Sequence, residues 1–237
     1  MLKELREEVL EANLELVRRG LVLYTFGNAS GISRVDGLVA IKPSGVPYET
    51  MKADDLVITD LNGKIVEGKL RPSSDLATHL VLYKAFPQIG GVTHTHSEYA
   101  TAWAQARKAI PCFGTTHADY FYGAVPVTDS MKADEIAGEY EENTGYAITR
   151  AFERKDCGSV PAVLVANHGP FTWGKTVTEA AHNAVILESI ARTAYFTLSI
   201  NAEASAIGSE LHDKHFLRKH GKTAYYGQPV ADKKSHN

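Results

Sequence analysis

The sequence has little cysteine, no long apolar run and no long run of charge of one sign. Its two cysteines, Cys112 and Cys157, lie far apart and match neither a disulfide framework nor a paired-thiolate zinc motif. No stretch approaches the roughly 20 consecutive apolar residues of a membrane-spanning helix. The net charge of -3 is spread too evenly for the basic surface that binds a nucleic-acid backbone. We therefore expect neither a membrane nor nucleic acid as a partner.

The first 20 residues are charged throughout and lack the apolar stretch of about 7 to 15 residues that a secretory signal contains. We therefore expect a cytoplasmic protein. The chain has 237 residues, of which 44% are apolar, which is enough to bury a sizeable core. Because internal repeats and low-complexity linkers are absent from the sequence, we predict one domain over residues 1–228 and a polar tail over residues 229–237.

Hydrophobic periodicity predicts helices and short strands that mix without regular alternation. Helices are expected over residues 2–19, 97–107, 131–153 and 176–200, and one more is expected to follow Pro72 with Ser73 or Ser74 as its cap. Strands are expected within residues 21–42 and at 55–59, 64–67, 89–95 and 160–166, with a hairpin turn at Asn62-Gly63. The pattern indicates a single α/β domain in which helices cover a sheet.

The clearest chemical signal is His94-Thr95-His96 at the end of an apolar strand. Residues two apart on a strand point to the same side and can share one ion. His168 follows another apolar strand and precedes Gly169-Pro170, which we interpret as a turn that directs this histidine toward the pair. Three imidazoles with an open coordination position are typical of catalytic zinc. The alternative is that these are ordinary histidines at strand ends.

Three short loops rich in glycine, serine and asparagine have the composition of a phosphate pocket. Backbone N–H groups of glycine-containing turns, hydroxyls and a helix N-terminus bind anions, and Lys42 would add positive charge. None of the loops matches a P-loop or a dinucleotide fingerprint, and each alone could be a simple turn. The loops are Gly27-Asn28-Ala29-Ser30, Lys42-Pro43-Ser44-Gly45 and Pro72-Ser73-Ser74-Asp75.

Two further segments carry polar residues that could transfer protons. One contains Thr115 and Asp119, and the other runs from His215 through Arg218 to Tyr226. A carboxylic acid or a phenol can donate or accept a proton when its surroundings shift its pKa. A capping role for Asp119 and a half-buried position for Tyr226 are the simpler alternatives.

Taken together, the segments resemble the class II aldolase and adducin-head family, and within it the L-ribulose-5-phosphate 4-epimerases. The resemblance spans nearly the whole chain. It rests on these segments in order: GNASG at 27–31, IKPSGV at 41–46, RPSSD at 71–75, GGVTHTH at 90–96, GTTHADYFYG at 114–123, NHGPFTWGK at 167–175 and KHFLRKHG at 214–221.

The resemblance implies a three-layer fold, with a central, mainly antiparallel sheet covered by helices on both faces. It also implies an isomerase that interconverts L-ribulose 5-phosphate and D-xylulose 5-phosphate in pentose catabolism, such as that of arabinose. The implied cofactor is Zn2+, with Mn2+ or another divalent cation as an alternative. The implied assembly is a cyclic homotetramer with active sites shared between subunits.

Carried over position by position, the resemblance also implies roles for individual residues. The implied metal ligands are His94, His96 and His168, with Asp75 as a further ligand in some states. The implied proton-transferring residues are Asp119 and Tyr226. The implied substrate and phosphate site comprises Gly27, Asn28, Lys42, Ser44, Gly45, Ser73, Ser74, Thr115, His215 and Arg218.

Two other activities remain as alternatives. An L-fuculose-phosphate-type aldolase of the same fold would carry Glu where this chain has Asp75 and would lack the 114–123 pattern. A metal-free, adducin-like scaffold is disfavoured because all three histidines are retained. The sequence departs from the familiar epimerases at Phe26, where tryptophan is expected, and at the extension over residues 229–237.

Overall fold

The computed structural model describes residues 2–221, 224 and 225, and within them the chain forms eight α-helices and seven strands. The helices are α1 (Leu2–Arg18), α2 (Leu76–Ala85), α3 (Glu98–Ala106), α4 (Thr115–Ala118), α5 (Ala133–Ala137), α6 (Tyr140–Ala151), α7 (Val177–Ile200) and α8 (Ser209–His220). The strands are β1 (Asn28–Ser33), β2 (Leu38–Ile41), β3 (Val57–Asp60), β4 (Ile65–Glu67), β5 (Gly91–His94), β6 (Ala162–Val165) and β7 (Gly169–Gly174).

The strands form one sheet in the order β4-β3-β2-β1-β5-β7-β6, in which every neighbouring pair is antiparallel. Strand β5 lies at the centre, between β1 and β7. In this register His94 stands directly opposite Asn28 on β1 and Phe171 on β7. Side chains that are directly opposite in an antiparallel pair lie on the same face of the sheet, so these three side chains share one face.

Helices cover both faces of the sheet. On one face, α1 and the first half of α7 bury Leu16, Ala29 and Val177 in a common apolar cluster. On the other face, α2 and α6 pack together, and Leu82 of α2 joins Val92 of β5 in a larger cluster that also takes in the second half of α7. The predicted α/β class and the antiparallel, three-layer arrangement are therefore confirmed.

The structure differs from the sequence predictions at several places, and helices α4 and α8 were not predicted. The helix predicted over 131–153 is two helices, because Gly138 adopts a ψ of -137°, far from helical values. The N-cap of α2 is Asp75 rather than Ser73 or Ser74, and its side chain makes no capping hydrogen bond. Gly169 and Pro170 begin strand β7 instead of forming a turn, and the turn occupies residues 166–168.

Two sequence predictions concern residues near the C-terminus. The polar tail over 229–237 and Tyr226 lie outside the described residues. In the part of the chain that the structure describes, no helix has the length and apolar character needed to cross a membrane.

The apolar cluster beneath α1 should contribute strongly to stability. Leu16 is fully buried, so Leu16→Ala should lower the free energy of unfolding by about 2 to 5 kcal/mol. Val35 is 98% exposed, and Val35→Ala should change it by less than about 0.5 kcal/mol. Urea unfolding of both variants measures the difference, and equal midpoints would contradict the assigned packing of α1.

Candidate active site

Three histidines converge at the end of the central strand. His94 is the last residue of β5, His96 follows two residues later, and His168 lies in the turn between β6 and β7. Their candidate ligand nitrogens all lie within 4.8 Å of one another. The Nε2 atoms of His94 and His96 are 3.0 Å apart, a separation at which two imidazoles can share one proton or one cation.

Neighbouring groups outside the histidine cluster fix the orientation of the His94 and His168 rings. The Nδ1 atom of His94 lies 3.0 Å from the carbonyl oxygen of Pro170, so Nδ1–H donates and Nε2 is left with its lone pair toward His96. The ring of His94 also stacks on Phe171 with centroids 4.2 Å apart. The Nδ1 atom of His168 lies 3.4 Å from the Tyr140 hydroxyl. Partners of this kind set the tautomer and direction of a metal-ligating histidine.

The electrostatic surroundings favour the neutral forms of His96 and His168. Burial and the neighbouring His94 lower the pKa of His96, and burial with the other two imidazoles lowers the pKa of His168 to about 4. Neutral imidazole is the form that binds metal ions. The carboxyl of Asp75 lies at the same site, where burial opposes its ionisation but His94, His79 and the Asn28 amide hold its pKa below the ordinary value. The three imidazoles therefore form a donor set that fits a divalent cation such as zinc. Asp75, which the resemblance implied as a further ligand, lines the same cavity but does not belong to this close group, and its Oδ2 accepts from the Asn28 amide.

The turn that carries His168 depends on two unusual backbone positions. Asn167 has a positive φ of 61°, a conformation that asparagine tolerates better than most residues. Gly169 comes so close to the histidine pair that an added Cβ would lie 2.8 Å from the Thr95 carbonyl oxygen. The absence of a side chain at Gly169 is what lets this turn reach the end of β5.

A polar cavity of about 380 Å³ extends from the histidines to the three glycine- and serine-rich loops. Two of these loops are held together by backbone hydrogen bonds, from Ser44 N–H to Arg71 O and from Ser73 N–H to Lys42 O, both 2.9 Å long. Asn28 joins them to the first loop, since its amide donates to Asp75 Oδ2 at 2.6 Å and to Ser73 Oγ at 3.1 Å. The sequence-predicted residues that line this cavity are Gly27, Asn28, Lys42, Ser44, Gly45, Ser73, Ser74, Asp75, His94, His96 and His168.

Lys42 is the positive charge of this cavity. It is only 2% exposed, and burial lowers the pKa of its ammonium. Among the described residues, the ammonium donates only to the Pro43 carbonyl at 3.3 Å, and it lies 4.7 Å from the centre of the Tyr48 ring. A buried ammonium with three N–H donors and so few partners suits an anionic ligand.

Gly27 lines the cavity and also allows its loop to approach strand β5 closely. Its φ is +115°, and an added Cβ would lie 3.0 Å from the His94 carbonyl oxygen and 2.8 Å from a methyl group of Val22. Its own carbonyl accepts a hydrogen bond of 2.7 Å from the Tyr48 hydroxyl. Glycine is therefore required here for close approach of the loop to β5, in addition to any contact with a ligand.

The remaining predicted residues lie in a second cluster, where α4 meets α8. Arg218 donates to both carboxylate oxygens of Asp119, at 2.7 and 3.0 Å, and His215 Nδ1 lies 3.0 Å from Oδ1. Burial opposes ionisation of Asp119, but these two partners hold its pKa below the ordinary value. Neither these three residues nor Thr115 line the cavity that contains the histidines. Within one chain the structure does not bring the two clusters together.

Thr25, Tyr140 and Glu141 line the cavity but were not predicted from the sequence as site residues. Tyr140 and Glu141, at the start of α6, line it beside His168. Burial raises the pKa of the Tyr140 phenol. Little in the sequence points to Tyr140 and Glu141, because they lie in a segment predicted as one uninterrupted helix. The glycine at position 138, just before them, was the available indication of a break.

The chain matches a known protein family over most of its length. Residues 7–195 match the family described as the class II aldolase and adducin N-terminal domain. An L-fuculose 1-phosphate aldolase is 27% identical, with a TM-score of 0.76 over 90% of this chain and 94% of the other. YgbL from Klebsiella pneumoniae, for which aldolase, epimerase and decarboxylase are all candidate activities, is 27% identical, with a TM-score of 0.72 over 89% and 97%. The L-fuculose 1-phosphate aldolase from Glaciozyma antarctica PI12 is 19% identical, with a TM-score of 0.75 over 90% and 80%, which shows the fold alone.

Buried neutral histidines predict a loss of stability in mild acid. Burial lowers the pKa of His79 to about 3 and that of His117 to about 4, whereas an unfolded histidine titrates near 6.5. The unfolded chain therefore binds more protons below about pH 6.5, and the free energy of unfolding should fall as the pH decreases from 7 to 5. Urea midpoints measured with chelator present test this.

A non-titrating variant provides the control for this pH dependence. His117 Nε2–H donates to the Gly123 carbonyl at 2.8 Å, and the amide of His117→Gln can donate there without titrating. The decrease in stability should be shallower in the variant. A decrease as steep as that of the wild type would contradict the assignment of His117.

Proposed function

The chain belongs to the class II aldolase and adducin family, and we propose that it interconverts L-ribulose 5-phosphate and D-xylulose 5-phosphate by breaking and re-forming the C3–C4 bond. The observation that carries this proposal is that three converging histidines and the buried Lys42 line one cavity. One end of the cavity suits a divalent cation and the other suits a phosphate. A phosphorylated ketopentose presents vicinal oxygens and an anion in the same molecule.

The phosphate would bind in the cradle around Lys42. The loops bearing Ser44, Gly45 and Ser73 line the cavity and are hydrogen-bonded to each other, and Gly45 has a positive φ of 69°. Glycine-containing turns with hydroxyls and a buried ammonium provide several donors for phosphate oxygens. The Asn28 side-chain oxygen is buried without a hydrogen-bond partner among the described residues, so it can accept from a substrate hydroxyl.

Inverting C4 by direct proton removal is difficult, because C4 is not adjacent to the carbonyl. Breaking the C3–C4 bond avoids this difficulty and leaves a three-carbon enediolate and glycolaldehyde phosphate. A bound divalent cation would supply Lewis-acid stabilisation of the negative charge that develops on the three-carbon fragment. The Lys42 cradle would keep glycolaldehyde phosphate in place while its carbonyl turns to present the opposite face.

This reaction needs one group to take the C4 hydroxyl proton on cleavage and another to return a proton on the opposite face. Asp119 and Tyr226 are the proposed pair. Because the Asp119 cluster lies away from the cavity of its own chain, these residues would serve the cavity of a neighbouring subunit in a cyclic homotetramer. In the same assembly, Thr115, His215 and Arg218 would line or close the neighbouring site. Tyr140 and Glu141 are additional polar groups available within the cavity itself.

An aldolase that releases its aldehyde fragment is the second candidate, and the similarity to an L-fuculose 1-phosphate aldolase favours it. The two reactions place the phosphate differently. In L-fuculose 1-phosphate the phosphate stays with the enediolate fragment, whereas in L-ribulose 5-phosphate it stays with the aldehyde. Asp75, where such aldolases carry glutamate, and the GTTHADYFYG segment support the epimerase.

The distinguishing experiment incubates zinc-loaded protein with L-ribulose 5-phosphate and follows D-xylulose 5-phosphate by a coupled assay, with free glycolaldehyde phosphate measured in parallel. The epimerase should form D-xylulose 5-phosphate with little free aldehyde. Chelator treatment and His96→Ala should each abolish product, because both remove the cation. Cleavage of L-fuculose 1-phosphate without epimerisation would instead establish the aldolase, and a folded protein that binds no metal would overturn both.

Asp119→Asn tests the proposed proton transfer. The amide keeps the shape of the carboxylate but cannot take a proton, so the variant should bind metal normally and lose epimerase activity by about 100-fold or more. Metal content by elemental analysis and the coupled assay give the two readouts. Wild-type turnover in this variant would show that Asp119 does not transfer a proton.

A further inference from the structure

Helix α3 begins immediately after the histidine pair, and its first N–H groups need acceptors. Only Ser97 separates His96 from the first helical residue, Glu98. A serine at the N-cap ordinarily accepts from the second or third N–H group of the helix. The Ser97 side chain makes no such bond, and its oxygen lies 3.3 Å from the Thr95 hydroxyl, which donates to it.

A carboxylate from a distant helix takes the place of this cap. Glu188, on α7, accepts from Tyr99 N–H at 2.8 Å through Oε1 and from Ala100 N–H at 2.9 Å through Oε2. These are the second and third residues of α3, the positions that an N-cap side chain would satisfy. The negative charge also complements the positive end of the helix dipole.

The carboxylate is held on a rigid support. One turn along α7, the carbonyl of Ala191 accepts from Trp103 Nε1 at 3.0 Å. Leu187 and Ala191 are fully buried beside Trp103 in the main apolar cluster. The position of Glu188 relative to α3 is thus set by packed side chains of both helices.

We propose that Glu188 is a positioning residue that fixes the start of α3 and thereby holds His96 in place for cation binding. The inference rests on the metal site proposed above. The chain on the N-terminal side of His96 is fixed by strand pairing up to His94, and on the C-terminal side it is fixed by α3. Without the carboxylate, the first turn of α3 would lose two hydrogen bonds. This loss would weaken the support that α3 gives to the adjoining His96.

The test compares Glu188→Ala and Glu188→Gln with the wild type by Zn2+ titration against a chromophoric chelator. The alanine variant should bind Zn2+ about tenfold more weakly, in the range that outer-shell partners of metal ligands contribute. The glutamine variant should lose less affinity than the alanine variant, because its amide oxygen can still accept one of the two hydrogen bonds. Hydrogen exchange at Tyr99 and Ala100 should be faster in both variants.

Glu179→Ala is the matched control. Glu179 is a capping carboxylate on the same helix, where it accepts from Lys175 N–H at 2.7 Å, and among the described residues it makes no hydrogen bond to α3. Its loss should lower the unfolding midpoint without changing Zn2+ affinity. The glutamine variant provides the test if the alanine variant does not fold.

Two results would overturn the proposal in distinguishable ways. Faster exchange at Tyr99 and Ala100 with Zn2+ affinity within twofold of the wild type would show that Glu188 caps α3 without positioning His96. A folded wild-type protein that binds no Zn2+ would overturn the metal site and, with it, this role of Glu188.

Discussion

The site depends on the pairing of β5 with β1 on one side and β7 on the other. That register sets His94 directly opposite Asn28 and Phe171. Asn28 donates hydrogen bonds to Ser73 and Asp75, which lie in one of the serine- and glycine-rich loops. Strand β7 directly follows the turn that carries His168. A slip of one residue in either pairing would move these side chains to the opposite face of the sheet. The central strand therefore determines both the cation end and the anion end of the cavity.

Burial gives the two ends their chemical character. Neighbouring groups and desolvation keep His96 and His168 neutral, so their lone pairs are available to a cation. At the other end, Lys42 is enclosed, and among the described residues its ammonium donates only to the Pro43 carbonyl. Burying an ammonium with so few partners has an electrostatic cost, which an anionic ligand would offset. Such stored cost is common where a protein binds a charged substrate.

The second polar cluster, around Asp119, is held together by charged groups that bond to one another. Asp119 is held in place by Arg218 and His215, and His220 adds a hydrogen bond of 2.9 Å to its backbone carbonyl. These contacts dock α8 against α4 through charge-assisted hydrogen bonds. The cluster lies apart from the histidine cavity in one chain, which is why the proposed reaction depends on a neighbouring subunit.

The sequence by itself determined features that depend on neighbours along the chain. The periodicity of residues 2–19 predicted α1, the apolar run before His94 predicted a strand end, and the alternation of His94 and His96 predicted a shared side. Resemblance supplied the antiparallel, three-layer fold, which the structure confirms. The proposed roles of the site residues remain predictions.

Only the tertiary structure decided features that depend on distant contacts. It placed His168 in a turn made possible by Gly169, brought Tyr140 into the cavity, separated Asp119 from the histidines, and gave the capping of α3 to Glu188. Each of these arises from atoms many residues apart in the chain. The periodicity of apolar residues cannot predict such contacts. It indicates which face of a helix or strand is buried, but not which residues pack against that face.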